Sequence, residues 1–65
     1  MNILINDHPS ELQEGATLAD AIAQARPRPP YAAAVNKAFV PRTAYVTTPL
    51  AEGDRIELIA PVTGG

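Results

Sequence analysis

Apolar and polar positions follow two different periods along this chain, and the changes of period divide it into short elements. Ile3-Leu4-Ile5 is a β-type run. The turn-prone residues Asn6-Asp7-His8-Pro9 then predict a reversal, with a second strand over Ser10 to Glu14. Gly15 ends that strand. Thr17 and Asp20 form the T-x-x-D version of a capping box ahead of Leu18, Ala21, Ile22 and Ala25, whose spacing predicts a short helix with a narrow apolar stripe. A residue before proline disfavours helical dihedrals, so Arg26-Pro27 ends the helix between Gln24 and Arg26.

Beyond the proline-rich stretch Pro27-Arg28-Pro29-Pro30, Tyr31 to Val35 predicts a third strand. Asn36-Lys37 makes a turn, and Ala38 to Val40 is a brief fourth strand stopped by Pro41. Thr43 to Leu50 has no clear period. Glu52-Gly53-Asp54 is a turn, and Arg55-Ile56-Glu57-Leu58 alternates as a half-buried strand does. The order β-β-α-β-β-β, with no internal repeat, is met by one mixed sheet wrapped over one helix, the last strand beside the first. This is an α+β fold of the ubiquitin-like β-grasp type. If Ile3, Ile5, Ile56 and Leu58 face the helix, alternation puts Leu4 and Ile59 on the other face, with Phe39 joining them.

Composition sharpens this picture. Of 65 residues, 46% are apolar, but 12 residues are alanine, so the core is small. A chain of this size buries only ~60% of the surface its unfolded form exposes, and marginal stability is expected. There is no cysteine and one histidine, His8. No disulfide, thiolate nucleophile or cysteine metal site can form, and one histidine cannot assemble a zinc site. Five basic residues stand against seven acidic ones, for a net charge of −2. That leaves no basic face for phosphates, and nucleic acid is not an expected partner. The longest unbroken apolar run, Tyr31 to Val35, is far short of a membrane span, and the expected setting is the cytoplasm, with a monomer when free.

No catalytic constellation is visible: no glycine-rich loop joins a strand to a helix, and no serine sits in a nucleophile elbow. The notable feature is the C-terminal end, where Ala60-Pro61-Val62-Thr63 runs into Gly64-Gly65. Residues 1–60 make the expected β-grasp body and 61–65 a flexible tail. Glycine lacks Cβ, so two glycines make a thread slim enough for a narrow channel, ending in a carboxylate. A terminal carboxylate, with a reference pKa of ~3.5, is ionised at neutral pH and is a poor electrophile. It reacts only after an ATP-dependent partner activates it.

The segment Val35-Asn36-Lys37-Ala38-Phe39-Val40-Pro41-Arg42, the turn and strand Gly53-Asp54-Arg55-Ile56-Glu57, and the terminal Gly64-Gly65 occur in the order seen in the ThiS sulfur carriers of thiamin synthesis. The chain resembles that family over essentially its whole length. The resemblance implies a protein that is not an enzyme but a co-substrate, with no bound cofactor. A ThiF-like adenylyltransferase, related to the E1 enzymes, spends ATP to adenylate Gly65, and a persulfide-derived sulfur then leaves a thiocarboxylate. A ThiG-like thiazole synthase receives the sulfur. Gly65 supplies the reacting carbon and Gly64 keeps the tail slim. Leu4, Phe39, Ile59 and Val62 are the expected partner-binding residues. Two related readings share the fold and the Gly-Gly end: a MoaD-like small subunit of molybdopterin synthase, whose members tend to be longer, and an Urm-type carrier for tRNA thiolation or conjugation. The proline-rich loop Pro27 to Pro30 departs from the family pattern.

Overall fold

The computed structural model describes residues 1–60. The elements run in the order β1 (Asn2–Ile5), β2 (His8–Glu11), α1 (Leu18–Ala25), β3 (Ala32–Val35), β4 (Ala38–Val40), a 3₁₀ segment (Arg42–Thr47) and β5 (Arg55–Ile59). They form one five-stranded sheet in the order β2-β1-β5-β3-β4. The first and last strands are parallel neighbours, with Ile5 opposite Ile56, and every other pairing is antiparallel. This is the expected ββαβββ arrangement.

The helix starts as its sequence dictates. The Asp20 carboxylate accepts the Thr17 backbone N–H at 2.8 Å and the Thr17 hydroxyl at 3.2 Å, occupying donors that the first turn leaves free. It ends at Arg26, which takes a left-handed conformation (φ 51°) and donates its N–H to Ile22 O at 2.9 Å. Leu18, Ala21 and Ile22 on its inner side are buried against Ile3, Ile5, Ala33, Val40 and Ile56. Leu58 also packs on this core, so Ile56 and Leu58 both turn inward as their alternation requires.

Two segments differ from the sequence expectation. The second strand spans His8–Glu11 rather than Ser10 to Glu14, because the reversal needs only Asn6 and Asp7, both at positive φ (49° and 67°). A two-residue turn of that kind matches the twist of the flanking strands. Pro9 is tolerated within β2 because β2 lies on the sheet edge, where a missing N–H breaks no ladder. The second difference is Arg42–Thr47, which forms a 3₁₀ segment beside the helix with Tyr45 buried. Pro49 bridges to Thr17 and Leu50 is buried, so this stretch closes the core and leaves the outer sheet face open.

Candidate functional site

β5 is the middle strand of the sheet and the last element before the C-terminal residues in sequence, so its anchoring fixes where Ile59, its final residue, stands. On one side it pairs with β3 from Val35↔Ile56 to Ala32↔Ile59. On the other side, Leu4 N–H donates to Asp54 O at 3.0 Å and Asn6 N–H to Ile56 O at 2.8 Å.

Two asparagine side chains complete these ladders. Asn6 Oδ1 accepts from Leu58 N–H at 2.9 Å, and Asn6 Nδ2 donates to Leu58 O at 3.3 Å. At the other end of β5, Asn36 Oδ1 accepts from Arg55 N–H at 3.0 Å, while the Asn36 backbone N–H donates to Arg55 O at 2.7 Å. Each asparagine is the first residue of a two-residue hairpin turn with positive φ at both positions, Asn6-Asp7 and Asn36-Lys37. Asparagine favours such a conformation and brings an amide with it. Sequence reading took both as turn residues and missed this second role. The signal available was an Asn opening each reversal that flanks a strand paired with β5.

The outer face of the sheet carries the apolar residues expected there, though not as one cluster. Phe39 is 68% exposed and Ile59 53% exposed. They lie on β4 and β5, two strand spacings across and two residues along the sheet, roughly 12 Å apart, with Ala32 and Ala34 of β3 between them. Leu4 is half-buried and pairs with Arg55, roughly 13 Å along β5 from Ile59. Arg55 and Glu57 project on the same outer face between them. Thus Ile59 stands at the carboxyl end of β5, Phe39 is level with Glu57 at mid-strand, and Leu4 lies at the opposite end beside Arg55. Val62, Gly64 and Gly65 lie outside the described residues.

On the inner side, a groove of about 400 Å³ opens beside the end of β5, lined by Ile5, Asn6, His8, Gln24, Pro27 and Leu58 among others. No group of three or more His, Asp or Glu converges among the described residues to hold a metal. No helix among them is long and apolar enough to cross a membrane.

The ThiS family model matches residues 3–65, a span that includes Gly64 and Gly65. The chain belongs to the ThiS family. Its members are small sulfur carriers of thiamine biosynthesis rather than enzymes. The fold agrees with the crystal structure of a thiamine biosynthesis protein (ThiS) from Geobacter metallireducens, at a TM-score of 0.84 and 22% identity over the whole of both chains. An NMR solution structure of a thiamine biosynthesis protein from the same organism gives a TM-score of 0.75 at 22% identity, over all of this chain and 88% of that one. No curated protein matches the sequence. At such identities the structural likeness speaks for the fold. Membership rests on the family match, which runs through the terminal glycines.

Proposed function

We propose that this ThiS-family protein carries sulfur on its own C-terminus in the cytoplasm. The Gly65 carboxylate attacks the α-phosphorus of ATP on a ThiF-like adenylyltransferase, and pyrophosphate leaves. A persulfide sulfur attacks the acyl carbon of the adenylate and AMP departs. Reductive cleavage of the remaining S–S bond by a thiol gives the thiocarboxylate, which donates its sulfur to a ThiG-like thiazole synthase. The body contributes no reacting group and no cofactor; ATP is consumed by the partner.

The observation that carries this reading is a family match extending through Gly64-Gly65 on a chain whose middle strand leads to that end. The exposed Phe39 and Ile59 on the outer face of the sheet support docking of the activating enzyme on that face, with Leu4 at its periphery and Val62, further along the sequence, as a further contact. Gly64 and Gly65 suit a channel too narrow for a Cβ.

One alanine added after Gly65 tests the proposal. It moves the carboxylate by ~3.5 Å and puts a peptide bond where the acyl carbon belongs. ATP–pyrophosphate exchange with the adenylyltransferase should vanish although the fold persists. Intact mass of the unmodified protein, incubated with that enzyme, ATP and a sulfur source, should show one oxygen replaced by sulfur. Normal exchange on the extended protein, without trimming, would refute the carrier reading.

A further inference from the structure

Asn6 stands where β1 stops and β5 goes on. Period-two alternation turns the N–H and C=O of Ile56 and Leu58 toward β1, and those of Arg55, Glu57 and Ile59 toward β3. β1 still serves Ile56, through the Asn6 backbone N–H at 2.8 Å. At Leu58 no strand is left on that side, because the chain has turned through Asp7 into β2. The Asn6 side chain takes the place of the missing strand, accepting from Leu58 N–H at 2.9 Å and donating to Leu58 O at 3.3 Å. A carboxamide offers one acceptor and a donor pair close together, much as a peptide group does, and a carboxylate or hydroxyl of that reach does not.

We propose that Asn6 is a positioning residue for the C-terminal carboxylate. Its amide extends the β1 side of the ladder from Ile56 to Leu58 and so holds the direction in which β5 delivers the chain toward Gly65. β3 grips the other side as far as Ile59, and the two together fix the strand in the plane of the sheet. This rests on the reading of Gly65 as the reacting group. Without the Asn6 amide, the last anchored residue on the β1 side becomes Ile56. A smaller fraction of docked carriers then presents the carboxylate in line with the ATP phosphorus. Docking through Phe39 and Ile59 is unaffected, so the defect appears in turnover and not in binding.

The test compares wild type, Asn6→Gly and Asn6→Asp in steady-state ATP–pyrophosphate exchange with a purified ThiF-family adenylyltransferase, the carrier concentration being varied. Glycine keeps the positive φ of the turn while removing the amide, and aspartate restores the acceptor for Leu58 N–H without the donor. Asn6→Gly should lower kcat on the order of ten-fold with KM changed by less than about two-fold, and Asn6→Asp should fall between it and wild type. Hydrogen exchange at the Leu58 amide should accelerate in Asn6→Gly more than at Ile56. An unchanged kcat, a loss confined to KM, or unaltered Leu58 protection would each overturn the proposal. Absence of exchange with wild type itself would refute the carrier reading instead, and the Leu58 amide would still decide whether Asn6 anchors the strand.

Discussion

Asn36 Nδ2 donates to Asp54 Oδ1 at 3.0 Å, across 18 positions of sequence. Asn36 opens the β3–β4 turn and Asp54 closes the turn before β5, so the bond joins the two internal segments by which the chain resembles its family. The other Asp54 oxygen accepts from Ala51 N–H at 2.8 Å, and Asn36 Oδ1 takes Arg55 N–H. Together these bonds lock the start of β5 against β3. A slip of one residue would exchange Ile56 and Leu58 with Glu57 and Ile59 across the sheet.

A double-mutant cycle measures that lock. Asn36→Gly, which keeps the φ of 50°, and Asp54→Ala should each lower unfolding free energy by about 1–2 kcal/mol in urea titrations. The coupling between them should be about 0.5–1 kcal/mol, and strict additivity would mean that the amide and carboxylate act independently.

Gly53 isolates backbone strain from packing. It has φ of +85°, and a Cβ added there would meet nothing within 4 Å. Gly53→Ala should therefore cost about 1 kcal/mol through conformation alone, and Gly53→Asn less, since asparagine tolerates positive φ. Equal urea midpoints for the alanine variant and wild type would show that the turn relaxes.

The small core leaves little reserve. Leu18 is fully buried under the sheet, and Leu18→Ala should cost about 2–5 kcal/mol. In a domain of this size that is a large share of the total stability. The circular-dichroism melt should shift far below that of wild type, or lose its cooperative transition altogether.

Docking is tested on the sheet face. Ile59→Asp and Phe39→Asp should leave stability within about 0.5 kcal/mol, because both side chains are largely exposed. In adenylation they should raise KM. Val46→Asp, on the 3₁₀ segment and also 68% exposed, is the control and should change neither quantity. An unaltered KM in both sheet variants would remove this face from the proposed interface.

Much of the fold was legible because local and long-range signals agreed. Thr17 and Asp20 announced the start of the helix, Arg26-Pro27 its end, and the alternation of Arg55 to Leu58 the inward set of β5. β2 was misplaced because Pro9 reads as a breaker, and only the sheet order reveals that it sits on an edge. Arg42–Thr47 has no period to read, since its place is set by Tyr45 and Leu50 filling the core beside the helix. In the candidate site, the exposed pair Phe39 and Ile59 followed from alternation. Leu4 fell apart from them because parallel pairing sets it beside Arg55 rather than Ile59. The work of Asn6 and Asn36 was hidden, since which backbone groups a turn side chain meets depends on a strand far away in sequence.

The parallel pairing of β1 with β5 also has a mechanical meaning. The amino end of β1 and the carboxyl end of β5 lie at opposite ends of adjacent strands. A pull on the C-terminus against the N-terminus therefore runs along the strands and loads the Leu4, Asn6 and Leu58 bonds together, in shear. In a hairpin the same force would open bonds one after another.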